Sequence, residues 1–235
     1  MWIPEKSAFR AGTVTGTEWD AANIGADSVA FGLDNLTSGP VSIAFGYSNQ
    51  VSANAGVALG GENTIGDFAG FGVAIGNLNH IGNAADNSVA LGYENVVNGS
   101  NAVALGSSHT INSISGVALG HGGNVNGNYQ TVFGKFNASL GDTVALIVGN
   151  GTSSDVRSNA LELTFTGDLE IAGNYVLSSA RPTKIGTGPD QLLGFYNTTP
   201  VDQPAAVADA TDADSVILRL NELLARVREL GLIAT

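Results

Sequence analysis

The sequence predicts an all-β protein with a short C-terminal helix, organised as a parallel β-roll, or solenoid, of about nine coils of 14–16 residues. Three observations carry this expectation. A pentad of small residue, Val or Ile, Ala, large apolar residue and Gly recurs through residues 26–150, and its closing glycines (Gly32, Gly46, Gly60, Gly76, Gly92, Gly106, Gly120, Gly134 and Gly149) are 14, 14, 16, 16, 14, 14, 14 and 15 residues apart. Asn35, Asn49, Asn63, Asn79, Asn95, His109 and Asn137 each stand three residues after a glycine. Five after it comes an apolar residue: Val51, Ile65, Ile81, Val97, Ile111 or Val125. A period of 14 suits two strands of about five residues and two turns of about two, whereas a helical repeat needs more length.

Residues 1–25 form an N-terminal segment ahead of the repeats. From Ser28-Val29-Ala30-Phe31-Gly32 onward, Val and the large residue fall on one face of the strand, and the small residue and Ala on the other. Both faces are apolar or small, so both are expected to be buried. Gly and Asn at fixed offsets are expected to supply the left-handed or otherwise strained backbone that tight corners demand. A coil this narrow encloses only small groups, which bury little apolar surface against the entropy of ordering fourteen residues. The Val and Leu/Phe face therefore has to find another partner, and an obligate oligomer is favoured over a monomer.

Residues 151–178 are read as a β neck: Leu161, Leu163 and Phe165 alternate with Glu162, Thr164 and Thr166, and Asp168-Leu169-Glu170-Ile171 follows a turn. Residues 179–211, with Pro182, Pro189, Pro200 and Pro204, form an extended linker. Residues 212–235 hold the helix, expected from about Asp212 to Leu230 and stopped by Gly231. Thr211 and Asp214 have the spacing of a capping box. Val216, Leu220, Leu223, Val227 and Leu230 follow a 4-3-4-3 spacing that suits a helical bundle between copies of the chain, the alternative being that the helix packs back on its own chain.

The pentads on a 14-residue period resemble the head repeats of trimeric autotransporter adhesins of the YadA type. That resemblance covers residues 26 to about 150 and implies a homotrimer of left-handed parallel β-rolls. The stretch Leu192-Leu193-Gly194-Phe195-Tyr196-Asn197-Thr198-Thr199-Pro200, with the helix ending Leu230-Gly231-Leu232-Ile233, is similar to C-terminal segments of bacteriophage tail and fibre proteins. Gly167-Asp168-Leu169-Glu170-Ile171-Ala172-Gly173 is similar to strand turns in phage fibre shafts. Together the two resemblances imply a structural fibre or tail protein of a virion that contacts the host cell surface. Its implied partners are two further copies, other virion proteins and a glycan or protein receptor. The rival readings are a bacterial adhesin head fragment and a glycan-degrading tailspike.

Composition narrows the chemistry. The sequence has no cysteine, which excludes a disulfide scaffold and thiolate zinc sites. Nine Lys and Arg against 21 Asp and Glu give a net charge of −12, the wrong sign for a nucleic-acid partner. No apolar run of membrane-spanning length is present, and Met1-Trp2-Ile3-Pro4-Glu5-Lys6 lacks the pattern of a signal peptide, so synthesis in the cytoplasm is expected. That this is a host's cytoplasm and that the protein acts outside it, on a virion, is what the phage resemblance implies.

Residues 26–150 hold seven acids (Asp27, Asp34, Glu62, Asp67, Asp86, Glu94 and Asp142) and one base, Lys135, with no carboxylate pair recurring at one offset. Neither catalysis nor a cofactor or metal is expected. His80, His109 and His121 sit at different offsets, as turn or solvated residues rather than an axial metal site. Recognition is then left to the surface. The residue after each pentad glycine varies (Leu33, Tyr47, Gly61, Asn77, Tyr93, Ser107, His121, Lys135), as a solvent-facing ladder would. The two 16-residue coils are expected to bulge side by side, around Phe68-Ala69-Gly70-Phe71 and Ala84-Ala85-Asp86-Asn87. Tyr47, Phe68, Phe71 and Tyr93 are the expected receptor contacts; the alternative for Phe68 and Phe71 is that they fill a trimer core beneath a loop.

Overall fold

The structure, a computed structural model, describes residues 1–173, 208–209 and 211–229. The chain forms two compact units, Met1–Tyr175 and Val176–Thr235. Most of the expected linker, residues 174–178 of the neck, and Leu230 lie outside the described residues.

The first unit is a β-solenoid of about nine turns with parallel strands. Its long strands are Val29–Leu33, Ile43–Tyr47, Val57–Gly61, Val73–Asn77, Val89–Tyr93, Val103–Ser107, Val117–His121, Thr131–Lys135 and Val144–Asn150. Each pairs in parallel with the next, so that Val73 lies on Val89, Ala74 on Ala90 and Gly76 on Gly92. The second leg of each coil carries a strand of only two residues, Leu36–Thr37 through Asn124–Val125, and these seven make a second parallel sheet. Two strands of about five residues per coil were expected. The second is shorter because the chain turns again directly after the buried β-branched residue, through Ser38-Gly39 in the first coil and Ser52-Ala53 in the next.

Between the two sheets runs the core. Ala30, Ala44, Ala58, Ala74, Ala90, Ala104 and Ala118 point inward from the long strands, and Val51, Ile65, Ile81, Val97, Ile111 and Val125 from the short ones, all without solvent exposure. A methyl against a branched side chain is what two closely spaced legs can accommodate at interior density. The serines of the pentads are also inside, where they bond locally: the Ser42 hydroxyl donates to the Gly39 carbonyl at 2.6 Å. The opposite face of the long strands is only half covered in this chain, with Phe31 at 50% and Phe45 at 41% exposure. The inner face is thus buried within one chain, as expected, while among the described residues no second layer of the same chain covers the outer one.

The corners bear out the expected role of Gly and correct that of Asn. The pentad glycines have φ of +116° to +128° from Gly46 to Gly106, a region that L side chains rarely adopt. The left-handed corner positions are instead held by ordinary residues: Asp34, Ser48, Glu62, Leu78, Glu94 and Ser108 after the long strand, and Val41, Ala55, Phe71, Asn87, Asn101 and Ser115 before it. Their N–H groups donate to the preceding coil, Ser48 to the Leu33 carbonyl at 2.8 Å and Ala55 to the Pro40 carbonyl at 2.9 Å. Coil-to-coil hydrogen bonding thus offsets the roughly 1–2 kcal/mol that a left-handed L-residue costs.

The N-terminal segment is not separate from the repeats. Strand Ala8–Thr13 pairs in parallel with Val29–Leu33, placing Arg10 on Ala30 and Gly12 on Gly32, and so starts the sheet one coil before the first pentad. Arg10 replaces the inward alanine and is fully buried at the end of the roll. Its guanidinium donates to the carbonyls of Phe9 and Ser28 at 2.9 and 3.0 Å and to the Ser28 hydroxyl at 2.9 Å. Trp2–Ile3 adds antiparallel beyond it. Toward the other end Gln130 takes the inward serine position, also fully buried, and its amide donates to the Val144 carbonyl at 3.0 Å. Long polar side chains thus satisfy carbonyls toward both ends of the roll, where coil stacking runs out.

Beyond the last coil the sheet turns antiparallel. Asn159–Thr164 pairs with Val144–Asn150 and then with Leu169–Ile171, the expected strand, turn and strand of the neck. In the second unit the helix runs Ala213–Glu229. Its N-cap is Asp212, whose carboxylate accepts from the Ser215 N–H at 2.8 Å while the Ser215 hydroxyl accepts from the N–H of Asp212 at 3.0 Å. The capping box is therefore Asp212 and Ser215, one residue later than the expected Thr211 and Asp214, because an ionised Asp is the stronger acceptor at the positive helix end. The hydrogen bonds from Ser215 hold the Asp212 carboxyl below its ordinary range. Val216, Leu220 and Leu223 are exposed on this helix and Val227 less so.

Candidate functional site

Inside the roll, the residues three after each glycine form a buried amide ladder. The Asn49 side-chain oxygen accepts both the backbone N–H and the side-chain amide of Asn63, at 3.1 and 2.9 Å, and Asn63 repeats this toward Asn79 at 3.1 and 3.0 Å. Each amide nitrogen also donates to a pentad glycine carbonyl of the next coil, as from Asn49 to Gly60 at 3.0 Å. The asparagines lack positive φ; their role is to satisfy backbone groups that the turn leaves without strand partners.

His109 occupies one rung of this ladder. Its Nδ1 accepts from the Gly123 N–H at 2.9 Å, and its Nε2 bonds the Leu105 carbonyl at 3.2 Å, an arrangement that fixes the neutral Nε2–H tautomer. Burial, the largest cause, pushes the imidazole below its ordinary value. A lowered folded value means that His109 contributes its stability fully above the unfolded value, near 6.5, and loses it as pH falls through the folded one. The fall in melting temperature between about pH 7 and 5 is therefore expected to be shallower in His109→Asn than in wild type. Equal slopes would remove His109 from the acid response. His80 is exposed on a short strand, and His121 is exposed beside the Ser107 hydroxyl at 2.7 Å, so the structure does not bring the three histidines together.

On the surface, Leu33, Tyr47, Gly61, Asn77, Tyr93, Ser107, His121 and Lys135 stack coil on coil as one column at the end of the long strands. Tyr47 lies along the roll rather than out from it. Its ring occupies the space that a side chain on Gly61 would need, and its hydroxyl accepts from the Asn77 amide two coils away at 2.9 Å. Tyr93 stands beside Glu94, which raises its phenol through hydrogen bonding and then charge, with a smaller contribution from Glu62.

Phe68 and Phe71 lie at the opposite ends of the strands, before Val73–Asn77, so the structure separates them from Tyr47 and Tyr93. The extra residues of the two long coils form stacked turns, Gly66 to Ala69 and Gly82 to Ala85, closed by backbone bonds of 3.2 and 3.3 Å. The Asn83 side-chain oxygen accepts from the Asp67 N–H at 3.1 Å, and Asp86 from the Gly70 N–H at 2.9 Å. On this platform Phe68 is 73% and Phe71 65% exposed, and neither fills a core within this chain.

A second cluster was missed in the sequence. The Phe136 ring meets His121 edge-on at 4.8 Å and the Arg157 guanidinium at 5.9 Å, while Arg157 donates to the Gly122 carbonyl at 2.7 Å and fastens the loop at the start of the neck onto the roll. The two residues lie 21 positions apart and share no repeat, so only the basic residue itself could have drawn attention to the contact.

Among the described residues no group of three or more His, Asp or Glu is placed to hold a metal ion, and no helix is long and apolar enough to cross a membrane. The fold and surface define a parallel β-solenoid with a hydrogen-bonded amide ladder inside and an apolar outer face. No family model matches the sequence, and no curated protein does.

Proposed function

We propose that the protein is a homotrimeric structural fibre or tail component of a virion, with the roll as the part that contacts the host cell surface. The observation that supports this best is the outer face of the long strands. Val29, Ile43, Val57, Val73, Val89, Val103 and Val117 form one column, and Phe31, Phe45, Leu59, Ile75, Leu91, Leu105 and Leu119 a second, every member in register with the next. Phe31 and Phe45 stack on each other at 5.6 Å and remain open to solvent. A continuous apolar strip of this length exceeds the isolated patches of soluble monomers. Copies arranged about an axis parallel to the roll would meet like residues at every level, which favours symmetric association over a varied partner. The exposed apolar stripe of the helix, from Val216 to Leu223, suits the same assembly. The chemistry of the roll's surface, seven scattered acids with one lysine over residues 26–150, suits a scaffold rather than an enzyme.

Light scattering is expected to return three times the chain mass of 23.8 kDa, and a monomer would overturn the reading. Replacing Phe31 and Phe45 with Ser removes two outward side chains without touching the coil interior. At roughly 1.5–3 kcal/mol for each buried large side chain, association should weaken by at least about a hundredfold. Antibodies against the roll should label purified virions and block their adsorption. Absence of the chain from the particles would overturn the virion assignment.

A further inference from the structure

We infer that the stacked turns of the two 16-residue coils form a binding site for an uncharged saccharide, a deepening that rests on the reading of the roll as the host-contacting surface. The platform is built rather than loose. Ala69 and Ala85 anchor it inside with no exposure, the two turns close on themselves, and Asn83, Asp86 and Asn87 of the lower coil bond the backbone at Asp67 and Gly70 of the upper.

Nothing in the coil requires aromatic residues there. The corner position of Phe71 is filled by Asn87, Asn101 and Ser115 in the next three coils with the same left-handed backbone. Two large rings are nonetheless held out in water on this hydrogen-bonded support, whose turns carry the polar residues Asp67, Asn83 and Asp86. The Asp67 carboxylate makes no hydrogen bond among the described residues, and Asp86 uses one oxygen on Gly70. Aromatic faces beside carboxylate and amide groups match the two surfaces of a sugar ring, its C–H face and its hydroxyls. From residue 26 to 134 the sequence has no Lys or Arg, so an anionic glycan would meet carboxylates and no cation. Two phenyl rings also offer far less than the roughly 800 Å² per partner that a stable protein interface buries.

The test uses the full chain on an array of uncharged and acidic oligosaccharides, with wild type, Phe68→Ala and Phe71→Ala, alongside adsorption to host cells, melting temperature and light scattering. The expected result is binding to uncharged oligosaccharides, weakened at least tenfold in each variant, with melting temperature and particle mass unchanged. Binding confined to acidic glycans would overturn the site's chemistry, and so would variants that bind as wild type does. A wild-type protein that adsorbs to cells but binds no saccharide would overturn the sugar while leaving the host-contact reading in place; one that does neither would overturn both. Loss of particle mass in the variants would show the rings to be an assembly contact and end the proposal.

Discussion

Replacing Gly76 with alanine is expected to disrupt the roll, lowering stability by about 3–5 kcal/mol. Gly76 has φ of +121°, and a Cβ there would stand 2.0 Å from the Gly92 carbonyl oxygen of the next coil. That oxygen belongs to backbone bonded into the sheet, so it cannot swing aside as a flexible side chain would. Strained backbone costs about 1–3 kcal/mol and overpacking about as much again. Gly46, Gly60, Gly92, Gly106 and Gly120 meet the same obstacle at 1.8 to 2.0 Å, so the effect belongs to the repeat rather than to one coil. Gly141→Ala is the control, because a Cβ there meets nothing within 4 Å. Urea midpoints at matched chain concentration should separate the two variants clearly; a Gly76→Ala protein that unfolds with wild type would contradict the coil stacking.

Removing a middle rung of the amide ladder should cost about as much. Asn79 donates to the Asn63 side-chain oxygen at 3.0 Å and to the Gly92 carbonyl at 2.9 Å, and its own oxygen accepts the Asn95 amide at 2.8 Å. Asn79→Leu keeps a similar volume but removes these bonds in a place water does not reach, and it leaves the backbone N–H and one side-chain N–H of Asn95 without their acceptor. At about 1–3 kcal/mol for each buried unsatisfied group, allowing for relaxation, a loss of about 3–5 kcal/mol is expected. Asn79→His should lose less than about 1.5 kcal/mol, since His109 already fills the equivalent rung with a donor and an acceptor. Chemical denaturation of the three proteins checks the order. Equal losses for Leu and His would mean that volume, and not hydrogen bonding, holds the rung.

These two residues also mark how far the fold is legible from sequence. The pentad spacing predicts the coils, the parallel register and the strand that each glycine closes, because a period of 14 has few other solutions. The position of Asn79 is equally regular, yet regularity alone suggests a turn residue. Its partners are 16 residues away in each direction, and only stacked coils bring three amides within bonding distance. Arg10 conceals the first coil for a related reason. An arginine where the pattern has alanine reads as an interruption, and it becomes an end piece only when free carbonyls at the roll's end come to surround it.

The candidate surface divides in the same way. The extra residues at Asp67-Phe68 and Asn83-Ala84 are visible as two lengthened repeats, and the expected side-by-side bulge is present. Whether Phe68 and Phe71 lie inside or outside their chain depends on the direction in which each turn projects, which the bonds from Asn83 and Asp86 decide. Tyr47 shows the converse: its column position is readable, but its direction is set by the gap above Gly61 and by Asn77 beyond it.

By itself, then, the sequence determined the local and periodic features: the number of coils, their register, the inward alanines and branched residues, and a helix with an apolar stripe. These follow from interactions within one coil or between equivalent positions of neighbouring coils, where one period describes every contact. The tertiary structure alone decided which polar groups lie inside, what occupies the ends of the roll, and which face stays open. Those outcomes rest on carbonyls, amides and rings meeting across coils or at places where the repeat stops, and a period contains no information about where it ends.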